Sequence, residues 1–284
     1  MDRQTTPSGT SPRTPQRDPV YPTFADLLPT GTLQAGHYEA RFARSLGELD
    51  DALRLRFEVF NLELGEGLAE SYVTGRDADA FDLHWHHLMV HDTRNDEIVG
   101  TYRMQTVEMA DAHTGFYSEG EFDLTGMPEE MRCRSVELGR ACIARDHRNR
   151  MVLFLLWKGL AAYAVSTGKR YLFGCSSITS QDPVDGLKAE QQLRDGGFYS
   201  HLQLPPLPEL RCDRAPELGG VAPDAAALAQ RPEIEIPRLF GTYLRYGSKI
   251  CSPPAIDREF RCIDFLTVLD LEDLSPRARS LFFD

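Results

Sequence analysis

The sequence predicts an α/β or α+β domain built on a central mixed, mostly antiparallel sheet that is flanked by helices. Strand-like and helix-like segments alternate along the chain, and two of the strands are joined by a short turn at 93–96, as in an antiparallel hairpin. The 284 residues are 42% hydrophobic and 26% charged, a composition that can bury a sizeable core. We therefore expect one globular domain.

Each element is predicted from its own sequence pattern. Ser45 is a favourable N-cap for the first helix, with Glu48 at the capping-box position. Gly168 is a favourable C-cap for a long apolar helix. The predicted strands are 38–44, 88–92, 97–107, 133–144, 171–178 and 260–271. The predicted helices are 46–65, 149–168 and 185–197.

Two proline-rich stretches set the expected boundaries. Residues 1–36 are rich in proline and poor in apolar residues, so we expect a disordered N-terminal segment. A single domain should follow at 37–275, with a second proline-rich stretch at about 205–235 forming a loop or a lid. Residues 276–284 are expected to be a tail.

The bulk composition limits the cellular setting and the partners. The chain has neither an apolar signal segment at its start nor a run of 18 apolar residues, so we expect a cytoplasmic protein with reduced thiols. A net charge of −12 argues against nucleic acid as a partner. The charge is uneven, however, because residues 132–158 contain seven basic and two acidic residues. This stretch is either a local binding surface for an acidic partner or an ordinary solvated helix start.

A metal site is not expected. None of the six cysteines forms a C-x-x-C pair. His84 and His86 alternate near Asp77, Asp79 and Asp82, but no further cluster completes a ligand set of three or more. Structural histidines beside an acidic loop are the simpler interpretation.

One carboxylate stands inside an apolar strand. Glu137 either faces solvent or faces a cleft, with Arg140 as its companion. Residues three apart point to opposite sides of a regular strand, so a shared site requires a bulge. Gly139, which lies between them, is the type of residue found in bulges.

The order of several segments resembles a known family. They include LRLRFEVFNLELG, EIVGTYRM, GFYSEGEFDL, ELGRACIARDHRNRMVLFLLWKGLAAY and YLFGCSSI. They are similar to the acyl-carrier-protein-dependent N-acyltransferases of the GNAT superfamily, a group that includes the ornithine-lipid N-acyltransferases. More distantly, their order resembles that of N-acyl amino acid synthases and acyl-homoserine lactone synthases. The resemblance covers about 38–271 and implies a GNAT-like sheet that is splayed at a bulged central strand.

The resemblance also implies roles for individual residues. The glutamate–arginine pair of ELGR and the arginine of GTYR would form the catalytic set, with the glutamate as general base. Ordinary salt-bridge partners remain the alternative for isolated arginines. The implied catalytic residues are Glu137, Arg140 and Arg103. The implied substrate-binding residues are Arg56, Asp79, Asp82 and His87.

The donor is expected to be acyl carrier protein. The stretch ARDHRNRMV contains no glycine, so a tight backbone cradle for the pyrophosphate of coenzyme A is missing. Arg145, Arg148 and Arg150 would offer the acidic carrier protein a basic landing surface. The apolar helix supplies either the acyl pocket or ordinary core packing. The residues concerned are Leu153, Phe154, Leu156 and Trp157.

These expectations define one reaction. The protein would transfer a long-chain, 3-hydroxylated acyl group from acyl carrier protein to the α-amine of an amino acid such as ornithine, with no tightly bound cofactor. The alternatives are an acyl-homoserine lactone or another N-acyl amino acid as product, or a catalytically silent sensor of acyl chains. Peripheral contact with lipid at the inner membrane face, or with a downstream O-acyltransferase, would fit the lipid product.

Overall fold

A computed structural model describes residues 20–283, and in this part of the chain nine strands form one sheet. The strands are β1 (Leu33–Ala35), β2 (Tyr38–Phe42), β3 (His86–Asp92), β4 (Glu97–Thr106), β5 (Ser135–Ile143), β6 (Tyr171–Ile178), β7 (Lys249–Ile250), β8 (Ala255–Asp257) and β9 (Cys262–Asp270). The helices are α1 (Leu46–Arg56), α2 (Ser71–Thr74), α3 (Val107–Ala112), α4 (Glu129–Cys133), α5 (Arg150–Thr167), α6 (Pro183–Asp195), α7 (Ala225–Ala229), α8 (Arg238–Arg245) and α9 (Pro276–Phe283). A π-helix, Phe57–Glu63, continues α1.

The predicted fold class is confirmed. The strand order is β1-β2-β3-β4-β5-β6-β9-β7, with β8 paired to the start of β9. All neighbouring strands are antiparallel except β5 and β6, which are parallel. The sheet is therefore mixed but mostly antiparallel.

The predicted helix ends are also found. The Ser45 side chain accepts a hydrogen bond from the backbone N–H of Glu48, and the Glu48 carboxylate accepts one from the backbone N–H of Arg44. Asn149 caps α5 through its side-chain oxygen, and Gly168 ends that helix in the left-handed conformation. The first helix changes to π geometry at Phe57, a change that helical spacing does not predict.

The sheet opens at β5, as the resemblance implied. β5 pairs with β6 only through its first three residues, 135–137, whereas β6 pairs with β9 along its whole length. On the other side of β5, Arg140 and Ala141 lie together opposite Tyr102, which is a β-bulge. The left-handed residue is Arg140, with φ 51°, and not Gly139 as the residue type suggested. We call the resulting space between 138–143 of β5 and 174–178 of β6 the β5–β6 gap.

The two faces of the sheet differ in chemistry. Helix α5 covers the face of β1 to β4 that carries the main apolar core, including Leu88, Val90 and Tyr102. Helix α1 packs against β3, β4 and β5, the face to which Arg103 and Glu137 point. The β5–β6 gap therefore opens to the apolar face of the sheet on one side and to the polar face on the other.

Three expected boundaries need correction. Residues 20–36 are ordered, because Leu28 is buried in the main core and the Ser166 hydroxyl donates to the carbonyl of Leu27. The stretch 205–235 does not loop out: Cys212 and Leu228 are buried against α6 and the β8–β9 end of the sheet. The expected tail forms α9, in which Phe282 stacks on Trp157. Residues 1–19 lie outside the described residues.

Candidate active site

A cluster of charged side chains lies on the polar side of the sheet, at β4 and β5. Arg56 donates to Asp77 at 2.8 and 2.6 Å and to Asp82 at 2.5 and 3.2 Å. Arg103 donates to both oxygens of Asp79 at 2.7 Å and to Asp82 at 2.9 Å. The other members of this arginine–aspartate cluster are Arg140, which donates to Asp77 at 2.6 Å, and His87, which lies 3.3 Å from Asp82.

The cluster balances its own charge. Three arginines face three aspartates, and burial lowers the pKa of His87, so its imidazole is neutral near pH 7. Burial alone would raise the pKa of Asp82, but Arg56 and Arg103 hold it well below its ordinary value. Such a network fixes the positions of its members rather than adding much to stability, since pairing mainly offsets the cost of burying the charges.

Two arginines of the cluster keep unused donors. The Nε–H groups of Arg103 and Arg140 are buried and have no hydrogen-bond partner in residues 20–283. The Arg140 guanidinium lies 4.0 Å from the centre of the Phe260 ring, and that of Arg103 lies 5.5 Å from the ring of Tyr117. The two guanidinium groups are thus held by carboxylates and aromatic rings while one N–H donor of each stays unused in residues 20–283.

Two predicted substrate-binding residues do not reach any surface. Arg56 and His87 are both 0% exposed, and His87 is also held by the Tyr21 hydroxyl at 3.0 Å. Direct contact with a substrate is therefore wrong for these two residues, which instead position Asp77 and Asp82. The side chains of Asp79 and Arg140 retain some exposure, at 12% and 14%.

Glu137 is buried and fully hydrogen-bonded. Its carboxylate, 1% exposed, accepts from Gln105 Nε2 at 2.9 Å and from the backbone N–H groups of Tyr117 and Ser118 at 2.8 and 2.7 Å. The Ser118 hydroxyl donates a fourth bond at 2.6 Å. Burial raises the pKa of Glu137, and these four donors oppose that shift. The carboxylate thus holds the 117–118 turn beside the β5–β6 gap and reaches the gap through Ser118.

A second group of carboxylates lies where the gap meets β9. We call Glu121, Asp257 and Asp264 the buried acidic cluster, since each is less than 10% exposed. Burial and the neighbouring carboxylates raise the pKa of Glu121 well above its ordinary value and that of Asp264 to about 6. Sequence reasoning missed this cluster because Glu121 is more than 130 positions from Asp257 and Asp264. Asp264 did carry the same signal as Glu137, a carboxylate inside an apolar strand.

The buried acidic cluster also offers ligand atoms at metal-like spacing. Oxygen or sulfur atoms of Asp257, Cys262 and Asp264 lie within 4.8 Å of one another. The Cys262 thiol donates to Asp264 at 3.2 Å, and burial raises its pKa well above the ordinary value. In this arrangement the sulfur serves as a hydrogen-bond donor to a carboxylate.

The β5–β6 gap contains a narrow cavity of about 40 Å³, which would hold only one or two waters. Its apolar wall includes Leu138 of β5, Trp157 and Leu160 of α5, and Tyr243 of α8. Trp157 was predicted to line an acyl pocket and does line this cavity. Leu153, Phe154 and Leu156 are not among its lining residues and pack in the main core.

The wall of the gap on the β6 side reaches the acidic cluster. Cys175 lines the cavity and lies 3.6 Å from the Ser118 hydroxyl and 3.7 Å from Glu121 Oε2. Burial raises the pKa of the Cys175 thiol well above its ordinary value. A thiol whose pKa is raised in this way is a poor nucleophile near neutral pH.

The predicted basic surface is exposed at the start of α5. Arg145, Arg148 and Arg150 all reach solvent. Arg148 is paired with Glu63 at 2.6 and 2.7 Å, whereas Arg145 and Arg150 have no ion-pair partner among the described residues. The surface is therefore smaller than the count of basic residues suggests. Within residues 20–283, no helix is long and apolar enough to cross a membrane.

Comparison with known proteins identifies relatives across most of the chain. The profile of the acetyltransferase (GNAT) domain family matches residues 55–158, which contain β3, β4, β5 and the start of α5. An L-ornithine N(alpha)-acyltransferase from Agrobacterium fabrum is 32% identical over 255 residues, 87% of this chain and 85% of the relative. One from Brucella abortus is 31% identical over 258 residues, 87% of this chain and 89% of the relative. Among solved structures, the acyl-homoserine lactone synthase LasI overlaps with a TM-score of 0.47 and 11% identity over 88% of this chain and 96% of that one.

The relatives and the fold agree. The GNAT profile covers the bulged strand together with Arg103 and Arg140. The relatives extend this match over the whole domain at more than 30% identity. The chain is therefore an acyltransferase of the GNAT fold and belongs to the family of the L-ornithine N(alpha)-acyltransferases.

Proposed function

We propose that this protein transfers a long-chain 3-hydroxyacyl group from acyl carrier protein to the α-amine of L-ornithine. The observation that carries the proposal is the β5–β6 gap, with an apolar wall on one side and arginines and carboxylates on the other, in a chain of this family. An acyl thioester needs the first kind of surface and an amino acid needs the second.

The thioester would lie along β5. Beyond residue 137 no described strand pairs with the β6-facing edge of β5, so its backbone N–H and C=O groups are available to an extended ligand. Backbone N–H groups at the bulge could then stabilise the tetrahedral oxyanion. Since the cavity is narrow, the acyl chain must displace side chains such as Trp157 and Tyr243 as it enters.

The reaction balances without a covalent enzyme intermediate. The α-nitrogen of ornithine attacks the thioester carbonyl, the C–N bond forms and the C–S bond breaks. The α-ammonium loses two protons overall: one ends on the departing phosphopantetheine thiol and one passes to a base. Glu137 is the proposed base, acting through the Ser118 hydroxyl that it orients. Arg140 would bind the α-carboxylate, for which its geometry is suited.

The choice of carrier protein rests on two features of the α5 start. Residues 144–152 lack glycine, and the exposed Arg145 and Arg150 present positive charge on an acidic protein. The product would keep a free carboxylate and a free 3-hydroxyl. We propose that a separate O-acyltransferase at the inner membrane face acylates that hydroxyl.

The experiment compares donors and acceptors with purified protein. 3-Hydroxyacyl carrier protein and the matching coenzyme A thioester are each incubated with L-ornithine, and the amide product is quantified by mass spectrometry. The expected result is the Nα-acyl product, formed faster from the carrier protein. Homoserine and glycine serve as competing acceptors. Preference for either one over ornithine would contradict the proposed acceptor, and equal use of both donors would contradict the proposed carrier.

A further inference from the structure

We infer that the buried acidic cluster binds the side-chain ammonium of the acceptor, so Glu121 and Asp264 select a diamino acid over a neutral one. This inference rests on the proposed function and adds the part of the site that recognises the second amine. It concerns residues that sequence reasoning left unassigned and that take no part in the proton transfer proposed above.

The arginine–aspartate cluster and the buried acidic cluster differ in whether their carboxylates are paired with a cation. Every aspartate of the arginine–aspartate cluster is paired with a guanidinium. By contrast, no lysine, arginine or histidine of residues 20–283 lies within ion-pair distance of Glu121, Asp257 or Asp264. Their hydrogen-bond partners are hydroxyl, thiol and backbone N–H groups, such as Ser177 for Asp264 and the 259–260 backbone for Asp257. Buried carboxylates are normally paired, so this cluster lacks a cation.

One carboxylate oxygen is left without any partner. Glu121 is 6% exposed, and its Oε1 atom is buried with no hydrogen bond in the described part of the chain. Burial and the charges of Asp264 and Asp257 raise the pKa of Glu121, and its carboxyl group lies close enough to Asp264 to share a proton with it when no cation is bound. An ammonium group placed there would satisfy Oε1 and relieve the repulsion among the three acids.

The cluster is within reach of the reacting centre. Glu121 Oε2 lies 3.7 Å from Cys175, which lines the β5–β6 gap. On the other side, Phe260 contacts the Arg140 guanidinium, and its backbone N–H is bonded to Asp257 at 2.9 Å. Arg140 Nε is itself an unused buried donor. An amino acid whose α-carboxylate binds Arg140 and whose α-amine enters the gap would therefore direct its side chain towards Glu121.

The chemistry specifies the ligand class. Three carboxylates suit an ammonium at the end of a short methylene chain, as in ornithine. A neutral side chain of the same length would leave the carboxylates uncompensated, and sites built for a polar group reject its apolar analogue strongly.

The test compares L-ornithine with L-norvaline, which has the same side-chain carbons but lacks the terminal amine. We expect wild-type protein to prefer ornithine by at least ~100-fold in kcat/KM. Glu121→Gln should lower kcat/KM for ornithine by at least ~10-fold, mainly through KM, and leave norvaline within about twofold. Asp264→Asn should do the same and provides a second variant if the first one fails to fold. Calorimetric binding of each amino acid without acyl donor should give the same ranking.

The matched control is Glu259→Gln, which removes an exposed negative charge from the turn beside Asp257. It should leave the preference unchanged. Equal loss for ornithine and norvaline in Glu121→Gln would overturn the inference, as would wild-type protein with no preference. Loss of the preference on dialysis against EDTA would place a metal ion among the carboxylates and would also overturn it. If wild-type protein acylates neither amino acid, the proposed function itself fails.

Discussion

At the scale of single residues, the contrast between Glu137 and Glu121 is informative. Both carboxylates are buried near the β5–β6 gap, and burial raises the pKa of both. Glu137 accepts four hydrogen bonds, whereas Glu121 Oε1 accepts none within residues 20–283. Glu137 thus has its oxygens occupied by protein groups, including the Ser118 hydroxyl that it orients, whereas Glu121 has capacity for a ligand.

Glu137→Gln should reduce the rate of amide formation by ~10²–10⁴-fold. Its amide has one accepting oxygen, and its NH₂ would face the N–H donors of the 117–118 turn, so we also expect a loss of about 1–3 kcal/mol in the free energy of unfolding. For a base, the wild-type rate rises with pH as Glu137 loses its proton, and this limb should disappear in the variant. The checks are a pH–rate profile and urea denaturation, with the exposed Glu130→Gln as control.

If Glu137→Gln is destabilised but its rate still rises with pH, Glu137 is a positioning residue and not the base. Ser118→Ala separates the two roles further, because it removes the hydroxyl but leaves the carboxylate. If proton transfer passes through Ser118, this variant should lose rate with little change in stability.

Residue patterns predicted part of this site. The strand pattern singled out Glu137 with Arg140, and the family resemblance added Arg103. Asp264 carries the same signal, but nothing in the sequence indicates that it lies beside Glu121, which is 143 positions away. The left-handed position fell on Arg140 because the register opposite Tyr102 sets the bulge, and register is not visible in one strand.

At the scale of elements, the opening of the sheet depends on a close approach between β5 and β6. A Cβ atom on Gly174 would lie 2.2 Å from the carbonyl oxygen of Leu138, a backbone atom that cannot rotate away. The last residue pair of the two strands is Glu137 with Phe173, immediately before this contact. Gly174 therefore sets where the strands can separate.

Gly174→Ala should push β5 and β6 apart and cost about 1–3 kcal/mol of stability. Acyl transfer should also be lost, because the edge of β5 along which the thioester is proposed to lie would move. Gly241→Ala is the matched control: a Cβ on this α8 residue meets no atom within 4 Å, so it should be neutral or stabilising by up to about 1 kcal/mol. Thermal unfolding and the amide assay measure both effects. A Gly174→Ala protein as stable and active as wild type would contradict this account of the opening.

Strand β9 carries two aspartates with opposite electrostatic surroundings. Burial and Asp257 raise the pKa of Asp264 to about 6, so folding favours its protonated form. Burial also acts on Asp270, but hydrogen bonds from Arg170 at 2.8 and 2.6 Å outweigh it and lower that pKa. The two residues should therefore give stability opposite dependences on pH.

Asp264→Asn should raise the free energy of unfolding at pH 7.5 by about 1–2 kcal/mol. The stabilising contribution of protonated Asp264 is complete below about pH 4 and is lost as the pH rises through about 6, so the gain should vanish at pH 4. Asp270→Asn should instead lose stability at pH 7.5, with a difference that shrinks as the pH falls below the ordinary aspartate range. Urea titrations at several pH values test both signs.

At the scale of the whole molecule, the distribution of charge decides where an acidic partner can approach. The chain has net charge −12, yet the α5 start exposes Arg145 and Arg150 without carboxylate partners among the described residues. A local positive surface on an acidic protein can steer an acidic partner to one place.

The double variant Arg145→Glu, Arg150→Glu should lower kcat/KM with acyl carrier protein by about 10-fold or more and leave a small acyl thioester nearly unaffected. Arg148 stays unchanged, so the pair with Glu63 is preserved. The control is Arg214→Glu with Arg277→Glu, which makes the same charge change at two other exposed arginines. An equal loss of kcat/KM with both donors would mean that the arginines act at the β5–β6 gap itself. No loss with either donor would mean that they are only an ordinary solvated surface.

The position of β9 in the sheet has a consequence for synthesis on the ribosome. Among the strands of residues 20–283, β9 is made last, yet it lies in the interior of the sheet and pairs with all eight residues of β6. Until about residue 270 has left the exit tunnel, a nascent chain therefore exposes β6 as an apolar edge with only three paired residues on its other side. Such an edge favours association with other chains, so we expect shortened messages and stalled synthesis to yield aggregates rather than partly active enzyme.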